Sequence, residues 1–538
     1  MNKQAIIHVD NTEGIIDFAK FLSDMGWDIL SANKSEEILS KAKIPVIHEQ
    51  VLVENNLYLK DTSELIQRIM SSSFIEEPNA PANQSGGGIG LICMNVLPTI
   101  HNINSEKKLK AITRPFNFFI STILRNAFLN YENIMILCDP ADYKEAMIQL
   151  RTGSINKDFR IYLASKALNQ VSAFDGGIAS SILMNTKYEK DFMTYLTYPF
   201  EKQYVLQKGA NPHQSSCLYR FPGGTGTIGS LQKQQGKELN YNTISDISFA
   251  WEQICMLSTN LKNQFSVKSV NCDGYKFETQ FTPLTGTVFT IAVKYKSIVG
   301  ASLASSILSS FQNTYTYDTE NIKEVTLASS AVIDETAASE IAKGSFATVV
   351  APGFTQGAKD ILSAVKRLEL IQISRITASD YEMELINGGL LFQTKDKVLF
   401  DHWDVKTKTR PGQILADQMA FGTILSMCSR SYSAVLLKDN SVIGISHACK
   451  SPVRAVDLAL SEALIHKAQN ADKGQITIAD VLVCDSATPL CDSIKELSDM
   501  GLKAIIQPGG TQNDEELIDF CNDHLISMIF TNMPHISY

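Results

Sequence analysis

Ala5-Ile6-Ile7-His8-Val9, an apolar run of strand length, is followed by Thr12 to Met25 with apolar residues at helical spacing, then by the run Trp27 to Ser31 and a second helical stretch from Ser35 to Ala42. Two parallel strands need a crossover long enough to travel back along the sheet, so strands alternating with helices in this way read as βαβ units. The same alternation continues to about Leu150, which predicts a doubly wound α/β domain on a parallel sheet. Glu76 to Gly90, with Pro78, Pro81 and the run Gly86-Gly87-Gly88, interrupts this domain before the strand Leu91 to Val96. A glycine loop that cradles phosphate sits tightly between a strand and a helix, so this longer run is read as an excursion.

With 538 residues the chain exceeds one ordinary core. Its character changes between Tyr195 and Asn211, through the polar Glu201-Lys202-Gln203, which places a boundary near 199 and divides the chain into 1–198 and 199–538. The second part is long enough for two α/β lobes, with Gly344 to Leu370 and Val481 to Asp519 as comparable strand-loop-helix units. A net charge of −9 gives no electrostatic footprint for nucleic acid. Met1 to Asp10 lacks the basic region and cleavage site of a signal peptide, and the longest apolar runs fall far short of the ~20 residues of a bilayer span. No membrane association is expected, and the cytoplasm is the expected location. The ten cysteines are dispersed in apolar runs without a CxxC pair, so neither a metal site nor a disulfide framework is expected.

Gly209 and the tetrad Asn211-Pro212-His213-Gln214 form a compact polar stretch that a hydrophobic core cannot use and a nucleotide site can. Gly224-Thr225-Gly226-Thr227-Ile228-Gly229 matches the dinucleotide fingerprint, but the short polar Leu231 to Gly236 that follows is no crossover helix, which excludes it. Downstream come Val350-Ala351-Pro352-Gly353-Phe354, Gly388-Gly389-Leu390-Leu391-Phe392-Gln393 and Gln507-Pro508-Gly509-Gly510-Thr511. In this order, with Cys138-Asp139-Pro140-Ala141-Asp142-Tyr143 and Leu239-Asn240-Tyr241-Asn242-Thr243, the chain resembles the bifunctional AICAR transformylase / IMP cyclohydrolase family along its whole length. The resemblance implies a methylglyoxal-synthase-like N-terminal domain and a larger, two-lobed, cytidine-deaminase-like transformylase region. It also implies a homodimer, a purine ribonucleotide substrate, 10-formyltetrahydrofolate as co-substrate and no metal.

Several positions depart from the family pattern. The cyclohydrolase phosphate loop becomes Ser31-Ala32-Asn33-Lys34-Ser35, without glycines to let backbone N–H groups approach a phosphate. The cradle after the first strand becomes Asp10-Asn11-Thr12-Glu13, whose carboxylates repel a phosphate by about a kcal/mol each. The family's tyrosine, aspartate and lysine of that domain fall on Leu97, Asn117 and Leu129. The domain is therefore expected to have lost ring closure and to serve as a dimerisation scaffold. In the transformylase region the family's Lys-His pair becomes Lys294-Tyr295, followed by Lys296-Ser297-Ile298-Val299-Gly300, and a phenol with an ordinary pKa near 10 is a poor base. The folate-packing aromatics are lost from Cys484-Asp485-Ser486-Ala487-Thr488-Pro489-Leu490, and Arg454 takes the place of a displaced arginine.

Carried over position by position, the catalytic candidates are Lys294, Tyr295 and His213. The substrate-binding candidates are Lys208, Asn211, Gln214, Thr243, Gly353, Arg454 and Asp485. Gly353, Gly388, Gly389, Gly509 and Gly510 also have a purely conformational reading, as turns with positive φ. Three functional readings follow: a formyl-transferring enzyme with a drifted site, a catalytically impaired paralogue with a structural, regulatory or nucleotide-binding role, and transfer of formyl to a different amine.

Overall fold

The computed structural model describes residues 3–49, 59–72, 88–96, 115–183, 192–221, 226–229, 231–262, 265–270, 276–281, 286–316, 322–374, 380–399, 402–469 and 478–538. The glycine run at 86–88, apart from Gly88, and Leu97 lie outside them. The chain divides into two compact units, Met1–Lys202 with Tyr219–Thr225, and Gln203–Leu218 with Gly226–Tyr538.

In the first unit the strands are β1 (Gln4–His8), β2 (Asp28–Ser31), β3 (Ile47–His48), β4 (Ile89–Met94) and β5 (Met135–Leu137). They form one parallel sheet in the order β3-β2-β1-β4-β5. Ala5 to His8 are all buried, the pattern of a strand covered on both faces. One face packs Ala5, Ile7, Leu91 and Leu137 against the helices Ile15–Asp24 and Tyr143–Thr152; the other packs Ile6, Ile92 and Ile136 against Pro115–Leu129 and Lys157–Leu183. The doubly wound domain is thus present, with its strand order reversing between β1 and β4. The first helix starts at Ile15 and not at Thr12, because Gly14 takes a left-handed φ of 66° and breaks the chain there.

The second unit is built on one sheet. After the two-stranded β6 (Glu201–Leu206) and β7 (Ser216–Arg220) come β8 (Leu231–Gln235), β9 (Phe265–Val270), β10 (Lys276–Phe281), β11 (Val288–Lys294), β12 (Ser297–Ala304), β13 (Thr326–Ser329), β14 (Thr348–Ala351) and β15 (Glu369–Ile373). An exposed hairpin, β16 (Tyr381–Ile386) and β17 (Gly389–Thr394), stands apart; β18 (His402–Val405), β19 (Ala434–Lys438), β20 (Ser441–Ile445), β21 (Val481–Cys484), β22 (Ala504–Gln507) and β23 (Ser527–Phe530) complete the sheet. The order is β10-β9-β18-β23-β22-β21-β19-β20-β12-β11-β13-β14-β15-β8. Each half repeats one plan: an antiparallel hairpin (β11–β12, β19–β20), then three mutually parallel strands (β13–β15, β21–β23). The halves meet where β12 pairs antiparallel with β20 through Ser302 and Ser441, whose buried hydroxyls are 3.0 Å apart.

Two lobes were expected, and two repeats exist, but they share one sheet. Their equivalence is also shifted from the expected one. Gly344 to Leu370 reaches from β14 to β15 and matches β22 to β23, whereas Val481 to Asp519 begins one strand earlier, because β13 and β21 are the strands that pair with the hairpins. Counting reversals along the ladder, β13–β15 run opposite to β21–β23. One face of the sheet is covered by the buried helices Tyr241–Lys262 and Gln413–Met427, around Trp251 and Phe421. Among the described residues no helix is long and apolar enough to cross a membrane, and the described cysteines are all free.

Gly444 on β20 lies against the backbone of the helix Pro452–Gln469, where a Cβ would collide with the carbonyl oxygen of Ala459. A backbone obstacle cannot swing aside as a side chain does. Gly444→Ala is expected to destabilise the large unit by about 3 kcal/mol, seen as a lowered denaturation midpoint in calorimetry of the full chain.

Candidate functional site

β11 and β12 are joined by Tyr295 and Lys296, with φ of 51° and 56°. Two left-handed residues suit the twist of a hairpin but strain side-chain-bearing residues by about 1 kcal/mol each. Asp246, on the helix Tyr241–Lys262, offsets this strain: its Oδ2 accepts the Tyr295 N–H at 3.1 Å and its Oδ1 the Lys296 N–H at 2.7 Å. Burial pushes the Asp246 carboxyl up, against the pull of these N–H groups and of Lys296. Lys294 donates to the carbonyl of Lys323 at 3.3 Å, and Tyr295 is 73% exposed. Sequence reasoning selected Lys294 and Tyr295 but missed Asp246, whose signal was a carboxylate between Ile244 and Ile247 on an apolar helical face.

The Asn211–Gln214 tetrad is a closed turn. Gln214 Oε1 accepts from the Asn211 N–H at 2.9 Å and from Asn211 Nδ2 at 3.1 Å, and the Gly209 N–H donates to the Gln214 carbonyl at 2.7 Å. A Cβ at Gly209 would lie 2.7 Å from that of Gln214, which explains the glycine. The Gln214 side chain therefore closes the turn, and His213 is exposed. Asn242 Nδ2 ties the turn to the helix start through the carbonyl of Ala210 at 3.2 Å. The Thr243 N–H is capped by Asn240 Oδ1 at 3.1 Å, and the Lys208 carbonyl accepts from Ser216 Oγ at 2.7 Å.

Asp485 follows β21 and is buried. Its Oδ2 takes the N–H of Ser433 at 2.9 Å and the Ser433 hydroxyl at 3.2 Å, so it grips the segment that precedes β19. Burial raises its carboxyl pKa against these hydrogen bonds. Arg454, near the start of its helix, is largely exposed and pairs with Asp457 at 3.2 Å. Strand direction sorts these residues. The end of β11, the starts of β12 and β19, and the ends of β20, β21 and β22 all lie at one end of the sheet, which puts Lys294, Tyr295 and Asp485 at that end, with β12, β20 and β19 between β11 and β21. Asp246 and Asn242 bring the helix start and the tetrad to the same end, and the helix of Arg454 begins there. Gly353 follows β14, which runs the other way, and does not join them.

The glycine reading is corrected in part. Gly388, Gly509 and Gly510 have φ of 82°, 72° and 94°, whereas Gly353 and Gly389 are not left-handed. A Cβ on Gly353 would meet Val332 only at 3.7 Å, an ordinary contact. The N–H groups of Gly510 and Thr511 are already taken by Asp514 Oδ2, at 2.7 and 3.0 Å.

In the first unit a cleft of about 510 Å³ opens at the carboxyl ends of β1, β4 and β5, where an open α/β sheet ordinarily takes its ligand. The N–H groups of Asp10 and Asn11, which follow β1, both point at the buried Asn95 Oδ1, at 2.8 and 3.3 Å. The hydroxyls of Ser31 and Ser35 are turned onto the carbonyls of Ile7 and Val9, at 2.7 and 3.4 Å, and Ser35 Oγ also accepts the Val9 N–H at 3.0 Å. Both serine hydroxyls of this loop are thus turned inward, and the helix Asn33–Lys41 begins inside it. Lys166, one of two lysines lining the cleft with Lys202, is held between Asp139 and Asp142 at 2.7 and 2.8 Å and is doubly countered. Leu129 stands exposed, and the side chain of Asn117 lies outside the described residues. Asn95 and Lys166 were missed from sequence, each being polar within an otherwise apolar run. Among the described residues no group of three His, Cys, Asp or Glu side chains is arranged to hold a metal.

Burial pushes the Asp139 carboxyl up, but Lys166 and the Ala141 N–H hold it below its ordinary range, while the Lys166 ammonium is raised by its two carboxylates against burial. A lowered acid stabilises the fold above its unfolded pKa and loses that contribution as pH falls through its folded one; a raised lysine does the converse at high pH. Lys166→Met is expected to cost about 1 kcal/mol after solvent screening. The cost should be constant from pH 5 to 9 and shrink below pH 4, measured by calorimetry across that range.

The profile of the AICARFT/IMPCHase bienzyme family matches residues 127–462. The bifunctional purine biosynthesis protein PurH of Petrotoga mobilis is 26% identical over 546 residues, and that of Clostridium acetobutylicum 28% identical over 549 residues, each alignment covering 100% of both chains. A solved structure described as that of ForH aligns with 34% of this chain and 98% of its own at 20% identity, with a TM-score of 0.28, too slight a likeness to bear on the fold. The match over well more than half of the sequence, at low identity to relatives of the same length, settles the descent: the chain belongs to the AICARFT/IMPCHase bienzyme family as a diverged member.

Proposed function

We propose that this chain transfers a formyl group from 10-formyltetrahydrofolate to an amine of a purine ribonucleotide in its large unit, and that its N-terminal unit no longer closes the purine ring. The observation that carries the first half is the hairpin of Lys294. The buried carboxylate of Asp246 fixes its turn, and the tetrad with His213 is tied to the same helix, so a cation and an imidazole stand at one end of the sheet. The second half rests on the cleft at β1 and β4, where Asn95 fills the anion cradle and two carboxylates neutralise Lys166. The test is to incubate the full chain with 10-formyltetrahydrofolate and AICAR, following tetrahydrofolate, and separately with formylated AICAR, following IMP. Formylation without IMP is expected, and Lys294→Met should lower formylation by about 100-fold or more. IMP formation would refute the lost ring closure.

A catalytically impaired paralogue is the second reading, favoured by the exposure of Tyr295, and folded protein with no formyl transfer to any amine would establish it. Transfer to another acceptor is favoured by Arg454, whose guanidinium is engaged by Asp457. An amine screen with the same donor separates that case.

The homodimer is part of the same proposal. β16 and β17 form a two-stranded sheet with Leu385 86% and Leu391 55% exposed. A hairpin of this kind is marginal alone in water and gains stability by covering its apolar residues, which a second copy does. Leu385→Glu with Leu391→Glu is expected to convert a dimer into a monomer in light scattering; an unchanged mass would place the interface elsewhere.

A further inference from the structure

The hairpin of Lys294 has no imidazole at position 295, yet one reaches it from another strand. His447 lies two residues beyond the end of β20. β12 and β20 are registered through Ser302 and Ser441, and the Leu303 N–H donates to the Asn440 carbonyl at 2.9 Å. Continued toward the hairpin tip, this antiparallel register sets His447 beside Lys296. The ring crosses to the hairpin, with Nε2 2.8 Å from the carbonyl oxygen of Ile298.

That bond decides the tautomer. A carbonyl oxygen only accepts, so Nε2 carries the proton and the neutral ring keeps its lone pair on Nδ1. Nδ1 has no protein partner among the described residues. Burial lowers the imidazole pKa below its ordinary value, against the raising effect of the Ile298 bond, so the ring is neutral at physiological pH. Its position is also fixed: the Ala448 N–H donates to the Arg430 carbonyl at 2.8 Å, and Cys449 and Tyr432 exchange backbone bonds at 3.0 and 3.2 Å. The charged and titratable groups on the surrounding segments are Lys294, Tyr295 and Lys296 on the hairpin, Asp246 beneath its turn, Arg430, Tyr432, Cys449 and Lys450 on the loops, and Asp485, whose charge reaches Cys449.

We propose that His447 Nδ1 is the proton acceptor for formyl transfer in this chain, in place of the imidazole absent from position 295. The inference rests on the formyl-transfer reading given above. In the step, the lone pair of the acceptor amine forms a bond to the formyl carbon and the bond from that carbon to N10 of the folate breaks. The proton shed by the amine goes to Nδ1, and one proton is taken up at N10, giving the formamide and tetrahydrofolate.

The test compares the full-length wild type with His447→Gln, whose amide N–H keeps the bond to Ile298 but offers no base, using AICAR and 10-formyltetrahydrofolate. The expected result is an unchanged melting temperature, a kcat lowered about 100-fold with KM changed less than about threefold, and loss of the acid limb of the pH–kcat profile. Adding Tyr295→His to His447→Gln should restore kcat to within about tenfold, which a merely structural role would not do. A His447→Gln variant with wild-type kcat and an intact acid limb overturns this inference and leaves the formyl-transfer reading standing. A folded wild type that forms no tetrahydrofolate overturns that reading, and this one with it.

Discussion

A strand that ends at a loop leaves backbone N–H groups with no ladder partner, and in this chain a single side-chain oxygen or carboxylate repeatedly collects two of them. Asn95 takes those of Asp10 and Asn11, Asp246 those of Tyr295 and Lys296, and Asp514 those of Gly510 and Thr511. Leaving such groups unsatisfied and buried costs about 1–3 kcal/mol each, so these oxygens fix the loops on which the candidate sites stand. The same paired N–H groups are what a bound anion would use. Each internal clamp therefore stabilises a loop and removes an anion cradle in one stroke.

The two units follow different courses from this constraint. In the first, the clamp sits at the point where the strand order reverses, the place an open sheet reserves for its ligand, and the neighbouring lysine is already matched by two carboxylates. In the second, the clamp at Asp246 lies beneath the hairpin rather than in front of it, and leaves the Lys294 side chain outside the turn. The same kind of clamp thus faces the cleft in one unit and lies behind the loop in the other.

Much of the architecture was legible in the residues. The runs around Ala5–Val9 and Trp27–Ser31 are short, apolar and separated by helical patterns, so local periodicity sufficed for the parallel sheet. The continuity of the large sheet was not legible, since it hangs on one pairing between Ser302 and Ser441, 139 positions apart. Lys294 and the tetrad could be selected because their motifs are contiguous. Asp246 and His447 could not, because each acts on a hairpin far away in sequence and neither carries a local pattern. Gly353 misled for the opposite reason: a Pro-Gly pair reads as a left-handed turn, while here the backbone continues a bridge between Ile333 and Phe354.

The sheet order also sets a timetable. β8 pairs with β15, made more than a hundred residues later, and β18 is held between β9 and β23. During synthesis the hairpin of β9 and β10 must wait for His402–Val405, and β18 then keeps one edge unpaired until the ribosome has released Ser527–Phe530. Long-range pairings of this kind close slowly and expose strand edges meanwhile. For the large unit, the yield of folded protein thus depends on how long the unpaired edge, first of that hairpin and then of β18, survives before the next strand is made.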